Sequence, residues 1–189
     1  PYGVLNKDWD VIISFDKLWE QYKRILKPYR VVCLFGTEPF SSMIRSSNIK
    51  EYKYDWIWVK GKAMNFTQAS NMPLRYHENI SVFSDGVINH KSKSPVNRMF
   101  YEPQTEILGK KTKKPKMSLG KYDGFNAGKQ TKTHNTHTNY PNMILEGHNV
   151  RKDRIHPTEK PVTLYEFFIN TYTNEGEIVL DNCAGSGTL

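Results

Sequence analysis

The sequence predicts an α/β fold, an open doubly wound sheet carrying an irregular basic insertion. Three observations lead there. Helix-period segments alternate with short unbroken apolar runs, the last of these runs empties into a glycine-rich turn, and between residues 85 and 149 periodicity is lost.

Taken in chain order, Pro1-Tyr2-Gly3 is a turn. Phe15 to Lys27 then sets Phe15, Leu18, Trp19, Tyr22, Ile25 and Leu26 at the three-and-four spacing of an amphipathic helix, which Pro28 closes. Arg30 to Gly36 reads as a buried parallel strand after a crossover. Thr37 to Asn48 follows as a second helix with Ser41, Ser42 and Ser46 on its wet side, and Lys53 to Lys60 and Glu78 to Ser84 are strand-like. Trp56 and Trp58 share a face at period two and belong to the core. His77-Glu78 reads as a structural pair at a strand start, with a pocket-edge element as the other reading. Pro161 to Tyr172 is a helix presenting Leu164, Phe167, Phe168 and Tyr172, and Glu177 to Asp181 is a strand that delivers the turn Cys183 to Thr188. The expected organisation is therefore residues 1 to 85, an insertion at 86 to 150, and a second half of the sheet domain at 151 to 189.

A chain of 189 residues, 38% hydrophobic, has room for one domain with a real core plus that insertion. No stretch approaches the roughly 18 apolar residues of a membrane span, and the first ten residues lack the pattern of a signal peptide, so a soluble cytoplasmic protein is expected. Cys33 and Cys183 lie in apolar surroundings and read as reduced, packed thiols. His134-x2-His137 has no cysteine at finger spacing, which argues against zinc.

The charge is concentrated. Residues 86 to 154 hold 14 Lys+Arg against 5 acids, a net +9, while the rest of the chain carries −1 of the total +8. Lys110, Lys111, Lys113, Lys114 and Lys116 are its densest run. Such a segment suits a polyanion, because Lys and Arg that neutralise phosphates release counterions; a solvated loop kept soluble by its lysines is the alternative.

Two motifs bear on chemistry. The run Asp181-Asn182-Cys183-Ala184-Gly185-Ser186-Gly187-Thr188 puts glycines after a strand, where backbone can approach a ligand at the crevice of an α/β sheet. It lacks the lysine of a phosphate-binding P-loop. His156-Pro157-Thr158-Glu159-Lys160-Pro161 is a polar turn ahead of a helix, and Pro at a first helical position is ordinary by itself.

In this order, with Pro1-Tyr2 ahead of them and with Trp19 to Pro28, Leu34-Phe35-Gly36, Tyr54 to Trp58 and Met72 to Asn79 between, these blocks resemble the class β DNA amino-methyltransferases of restriction-modification systems and phages. That family runs from a DPPY-type motif through a target-recognition segment to an HPTQKP-like motif and an LD-x-x-x-GSGT cofactor motif. The resemblance implies a Rossmann-like methyltransferase sheet that uses S-adenosylmethionine to methylate N6 of adenine in double-stranded DNA by base flipping. N4 of cytosine is the alternative substrate, and a non-catalytic DNA-binding remnant the alternative of another class. Pro1 and Tyr2 would belong to the catalytic motif, with Tyr2 stacking on the flipped base. Asp181, Cys183, Gly185, Ser186, Gly187, Thr158, Lys160 and Phe35 would line the cofactor. Residues 86 to 150 would recognise the target, the lysine run gripping DNA, and no metal is required. A homodimer and a cognate restriction endonuclease accompany many such readings. The first two residues of the tetrapeptide precede Pro1, and the acidic residue expected after the glycine turn lies beyond Leu189, so the chain is expected to be a fragment. If the resemblance holds, Tyr2 and the Gly185 turn should meet in one crevice, at the carboxyl ends of adjacent parallel strands.

Overall fold

A computed structural model of the chain describes residues 2–4, 7–88, 96–107, 137–147, 158–185 and 187–188. They form helices α1 (Phe15–Ile25), α2 (Phe40–Ser47) and α3 (Val162–Tyr172) and strands β1 (Val32–Gly36), β2 (Tyr52–Val59), β3 (His77–Phe83), β4 (Glu106–Ile107), β5 (His137–Thr138) and β6 (Ile144–Leu145). The chain divides into two units, Pro1–Glu102 with Asn142–Leu189, and Pro103–Pro141. In the smaller unit β4 and β5 pair antiparallel, Glu106 opposite Thr138 and Ile107 opposite His137. The lysine run 110 to 116 and most of the expected insertion lie outside the described residues.

The larger unit is built on a mixed sheet of order β1-β3-β2-β6. β3 runs antiparallel to both β1 and β2, and β6 parallel to β2. β1 and β2 therefore point the same way, joined through α2 as a crossover unit should be, with β3 returning between them. The apolar run at Arg30 to Gly36 thus differs from the parallel strand its composition suggests. Its ladder neighbour among the described residues is antiparallel, because β3 comes back through residues 60–76 and pairs with β1 as well as with β2.

Side-chain alternation gives the sheet two apolar faces. Trp56, Trp58, Ile80 and Val82, with Cys33 and Phe35 beside them, pack on Leu164, Phe168 and Tyr172 of α3. Phe83, with Val32 and Leu34, packs on Trp19 and Tyr22 of α1 and Phe40 and Ile44 of α2. Tyr52 and Tyr54 face opposite sides because the β2–β3 register shifts between them, the signature of a bulge. The polar tips buried in the aromatic face are satisfied: Trp56 Nε1 donates to the Tyr172 hydroxyl at 2.6 Å, and the Tyr54 and Tyr172 hydroxyls pair at 2.9 Å. On the other face Trp19 Nε1 donates to Ser47 Oγ at 2.8 Å and ties α1 to α2.

Three local expectations are corrected. Ser41 is buried, unlike Ser42 and Ser46, because α2 starts so soon after β1 that its first turn presses on Gly36; a Cβ there would lie 2.8 Å from Ser41 Oγ and 2.9 Å from the Phe40 ring. Glu177 to Asp181 forms no ladder with any described strand, and Ile178 is 96% exposed. An extended apolar run becomes a strand only where a neighbour accepts its hydrogen bonds; here it is held by its ends, through an ion pair of Glu177 with Arg30 and a hydrogen bond from the Tyr22 hydroxyl to Asn182 Oδ1 at 3.2 Å. Cys183, in the turn that follows, is exposed, whereas burial pushes the Cys33 thiol up as a packed thiol requires.

Leu164 is fully buried where α3 meets the sheet. Leu164→Ala should lower the unfolding free energy by about 3 kcal/mol, read from urea titration. A loss under about 1 kcal/mol would mean that α3 is not an integral layer of the core.

Candidate active site

The register brings the amino end of β3 against the carboxyl ends of its neighbours: Asn79 lies opposite Gly36 of β1, and Glu78 opposite Trp58 of β2. This is the edge of an α/β sheet where ligands are usually held. An open crevice there is lined by Tyr2, Phe35, Lys60, Glu78, Thr158, Lys160, Asp181, Cys183 and Gly185, among others. Residues from both ends of the larger unit's chain thus share one wall.

Glu78 is the centre of the arrangement. Its carboxylate is 5% exposed, ion-paired with Lys60 and, at 3.1 Å, with Lys160. The Tyr2 hydroxyl donates to its Oε2 at 3.4 Å, a long hydrogen bond. Burial alone would raise the Glu78 pKa, but the two ammoniums outweigh burial and hold the carboxyl below the ordinary carboxylate range. Burial first, and then the charge of Glu78, push the Tyr2 phenol well up, so it stays protonated and can donate. The Lys160 ammonium also lies 5.3 Å from the centre of the Phe35 ring and 5.8 Å from those of Tyr2 and Trp58, an aromatic cage that suits a cation.

The segment carrying Tyr2 is fixed from below. Asp10 is buried and accepts backbone N–H bonds from Tyr2 at 2.5 Å and Val4 at 2.8 Å. The Tyr2 ring stacks on Phe40 with centroids 5.2 Å apart. On the far side of the crevice, Asp181 Oδ1 accepts from Cys183 N at 2.9 Å and starts a turn in which Gly185 (φ +55°) and Gly187 (φ +70°) take left-handed conformations. A Cβ at Gly187 would meet nothing within 4 Å, so that position borders open space.

The structure therefore brings Tyr2, Phe35, Thr158, Lys160, Asp181, Cys183 and Gly185 to one crevice, while Gly187 does not line it. Pro1, Ser186, His156 and Lys110, Lys111, Lys113, Lys114 and Lys116 lie outside the described residues. Among the described residues the glycine turn follows an extended run that joins no ladder, and Tyr2 is the first of them, so the strand expected ahead of it lies outside them; both segments are tied by side-chain hydrogen bonds. The sequence does not single out Asp10, and of the two readings of His77-Glu78, a structural pair or a pocket-edge element, Glu78 fits the second while His77 is exposed. A signal for Glu78 was present: in HENISVF it shares the buried face with Ile80 and Val82, and an unneutralised acid has no place there.

Because the folded-state pKa of Glu78 is depressed, its contribution to stability is present above the ordinary carboxylate pKa and is lost as pH falls through the folded value. Glu78→Gln would leave two lysines facing each other without a counter-charge and should cost roughly 3 kcal/mol at pH 7. The gap to wild type should close in acid below about pH 4. Urea titrations at the two pH values measure it; equal stabilities at pH 7 would show that the carboxylate charge does not hold this site.

Comparisons with known proteins agree with the geometry. The DNA methylase family N6_N4_Mtase matches residues 6–189. The type II methyltransferase M.HpaI of Haemophilus parainfluenzae is 27% identical over 195 residues, covering 100% of this chain and 54% of that protein, so the chain spans about half the length of this relative. The crystal structure of the M1.HpyAVI-SAM complex superposes with a TM-score of 0.52 at 20% identity, over 100% of this chain and 70% of that one, a likeness in fold. With the family matched over nearly its full length and the motif residues gathered at one edge of its sheet, the chain belongs to the N6_N4_Mtase family of DNA methylases.

Proposed function

We propose that the chain is the catalytic part of an S-adenosylmethionine-dependent DNA amino-methyltransferase that methylates N6 of adenine in double-stranded DNA. The observation that carries the reading is the meeting of Tyr2, Phe35, Lys160 and the Asp181–Gly185 turn in one crevice, although they come from opposite ends of the sequence. An exocyclic amine is a poor nucleophile, its lone pair being delocalised into the ring, so catalysis consists of holding it in line with an electrophilic methyl in a site without bulk water. The cofactor supplies that methyl as a sulfonium, without metal or covalent enzyme intermediate.

The chain's own residues supply position. Tyr2, buttressed by Phe40 and pinned through Asp10, offers a fixed ring face for a base that has left the duplex. Asp181, Cys183 and Gly185 would form the cofactor's cradle, with Thr158, Lys160 and Phe35 lining the same crevice; Ser186 and Gly187 are assigned to it by the motif alone. The donors and left-handed glycines fit that task, since an open backbone and a carboxylate suit a polar amino-acid moiety. The smaller unit, within the basic segment 86 to 150, is then the target-recognition part, and the lysine run its phosphate grip. Among the described residues no helix is long and apolar enough to cross a membrane. A cytoplasmic setting, a homodimer and a cognate restriction endonuclease go with this reading.

The test is methyl transfer by the full-length protein from labelled S-adenosylmethionine to duplex DNA, with the product nucleoside identified by mass spectrometry. N6-methyladenine is expected, and Tyr2→Ala should lower kcat/KM about a hundredfold. N4-methylcytosine would move the substrate to the other base of the family, and absence of both cofactor binding and transfer would leave only a DNA-binding remnant. Replacing Lys110, Lys111, Lys113 and Lys114 together by Ala should weaken binding to all sequences alike and flatten its salt dependence. Unchanged affinity at low salt would make that run a solvated loop.

A further inference from the structure

Residues 60–76, which join β2 to β3, form a lobe on the rim of the same crevice, whose wall includes Lys62, Met64, Asn65 and Arg75. The lobe is held by its own hydrogen bonds. Lys60 N donates to Tyr76 O at 2.6 Å and Met64 N to Arg75 O at 3.1 Å, closing its neck. The Asn65 side chain accepts from Arg75 N at 2.7 Å and donates to Pro73 O at 3.1 Å, fastening the two limbs together. A single 3-10 turn, Phe66–Gln68, makes the tip.

What this fixed tip displays is unusual for a solvent loop. Phe66 is 73% exposed, and Met64, Met72, Leu74 and Tyr76 of the same segment are exposed as well. The segment contains Lys60, Lys62 and Arg75 and no Asp or Glu. Lys60 is committed to Glu78, whereas Lys62 is exposed and Arg75 half-buried. Apolar surface gathered on an ordered tip marks a binding surface. Cations without acids beside it select a polyanion over a protein face of mixed charge.

We propose that this lobe enters the DNA duplex beside the target base, Phe66 filling the space that the flipped base vacates while Lys62 and Arg75 meet the flanking phosphates. The inference rests on the methyltransferase reading and deepens it. Extruding a base breaks its pairing and stacking, and an aromatic face inserted into the gap restores part of the lost stacking whatever the sequence, since every base presents a π-face. The position suits that role: Lys60 at the neck of the lobe and the hydroxyl of Tyr2, where the extruded base would be received, meet on the same Glu78 carboxylate.

The experiment compares full-length wild type, Phe66→Ala and the double variant Lys62→Gln/Arg75→Gln on the duplex found to be methylated, with a normal, a 2-aminopurine or an abasic nucleotide at the target position. Phe66→Ala should bind the normal duplex about tenfold more weakly, recover most of that loss on the abasic duplex, and lose the 2-aminopurine fluorescence that reports flipping. The double variant should weaken binding to all three duplexes and reduce the salt slope by about two. S-adenosylmethionine affinity should stay at the wild-type value in both and serves as the check on folding. The inference is overturned if Phe66→Ala binds and flips like wild type, if it weakens normal and abasic duplexes equally, or if it breaks up a dimer seen by light scattering while DNA affinity is kept. A wild-type protein that neither binds nor methylates duplex DNA would instead remove the proposed function itself.

Discussion

A buried carboxylate held between two lysines is the constraint from which the geometry of this site follows. Removing Glu78 from water is costly unless its charge is answered at close range. The two answers come from distant parts of the chain, Lys60 just past the end of β2 and Lys160 from the turn before α3. Both must reach one oxygen pair at the start of β3, which is possible only if β3 runs opposite to β1 and β2 and brings its amino end to their carboxyl edge. The mixed direction of the sheet and the composition of the crevice are therefore one fact. Tyr2 joins the same carboxylate through its hydroxyl, so the segment before α1 is indexed to the sheet by the group that indexes α3.

The two faces of the sheet divide the remaining work. One packs on α3 through large aromatic side chains whose polar tips are paired among themselves, which gives a layer with little freedom to slide. The other packs on α1 and α2, and its Phe40 continues past the core to stack on Tyr2. The tyrosine ring is thus an extension of a packed core and not the tip of a free loop, a good basis for a platform that must receive a flat group in a set orientation.

How much of this was legible in the sequence depends on the range of the interaction concerned. The helices at Phe15–Ile25 and Val162–Tyr172, and the core roles of Trp56 and Trp58, are written in local periodicity, and they stand as read. Strand direction is not local: the composition of Arg30 to Gly36 says buried, and buried strands are commonly parallel, but which neighbour fills the ladder is decided by the return path of β3. The run Glu177 to Asp181 has strand composition without a strand neighbour, for the same reason. Of the candidate site residues, Gly185, Thr158, Lys160 and Tyr2, singled out by motif resemblance, and Phe35, singled out by its place at a strand end, line one crevice, while their roles belong to the proposed function. Glu78 was harder, since its meaning depends on two lysines that are 18 and 82 positions away.

The same cluster bears on the cofactor's charge. A sulfonium donor is a cation, and under the proposed function it must sit in a crevice whose wall holds two ammonium groups. In a partly desolvated crevice each uncompensated lysine would oppose its binding by Coulomb repulsion. Glu78 pairs with both lysines, so the positive side chains that stiffen the site are answered within it. The strongly basic part of the sequence lies elsewhere, in residues 86 to 154, while the remainder carries a net −1. Under the proposed function, the crevice that receives this cation carries its own counter-charge, Glu78, between the two lysines that stiffen it.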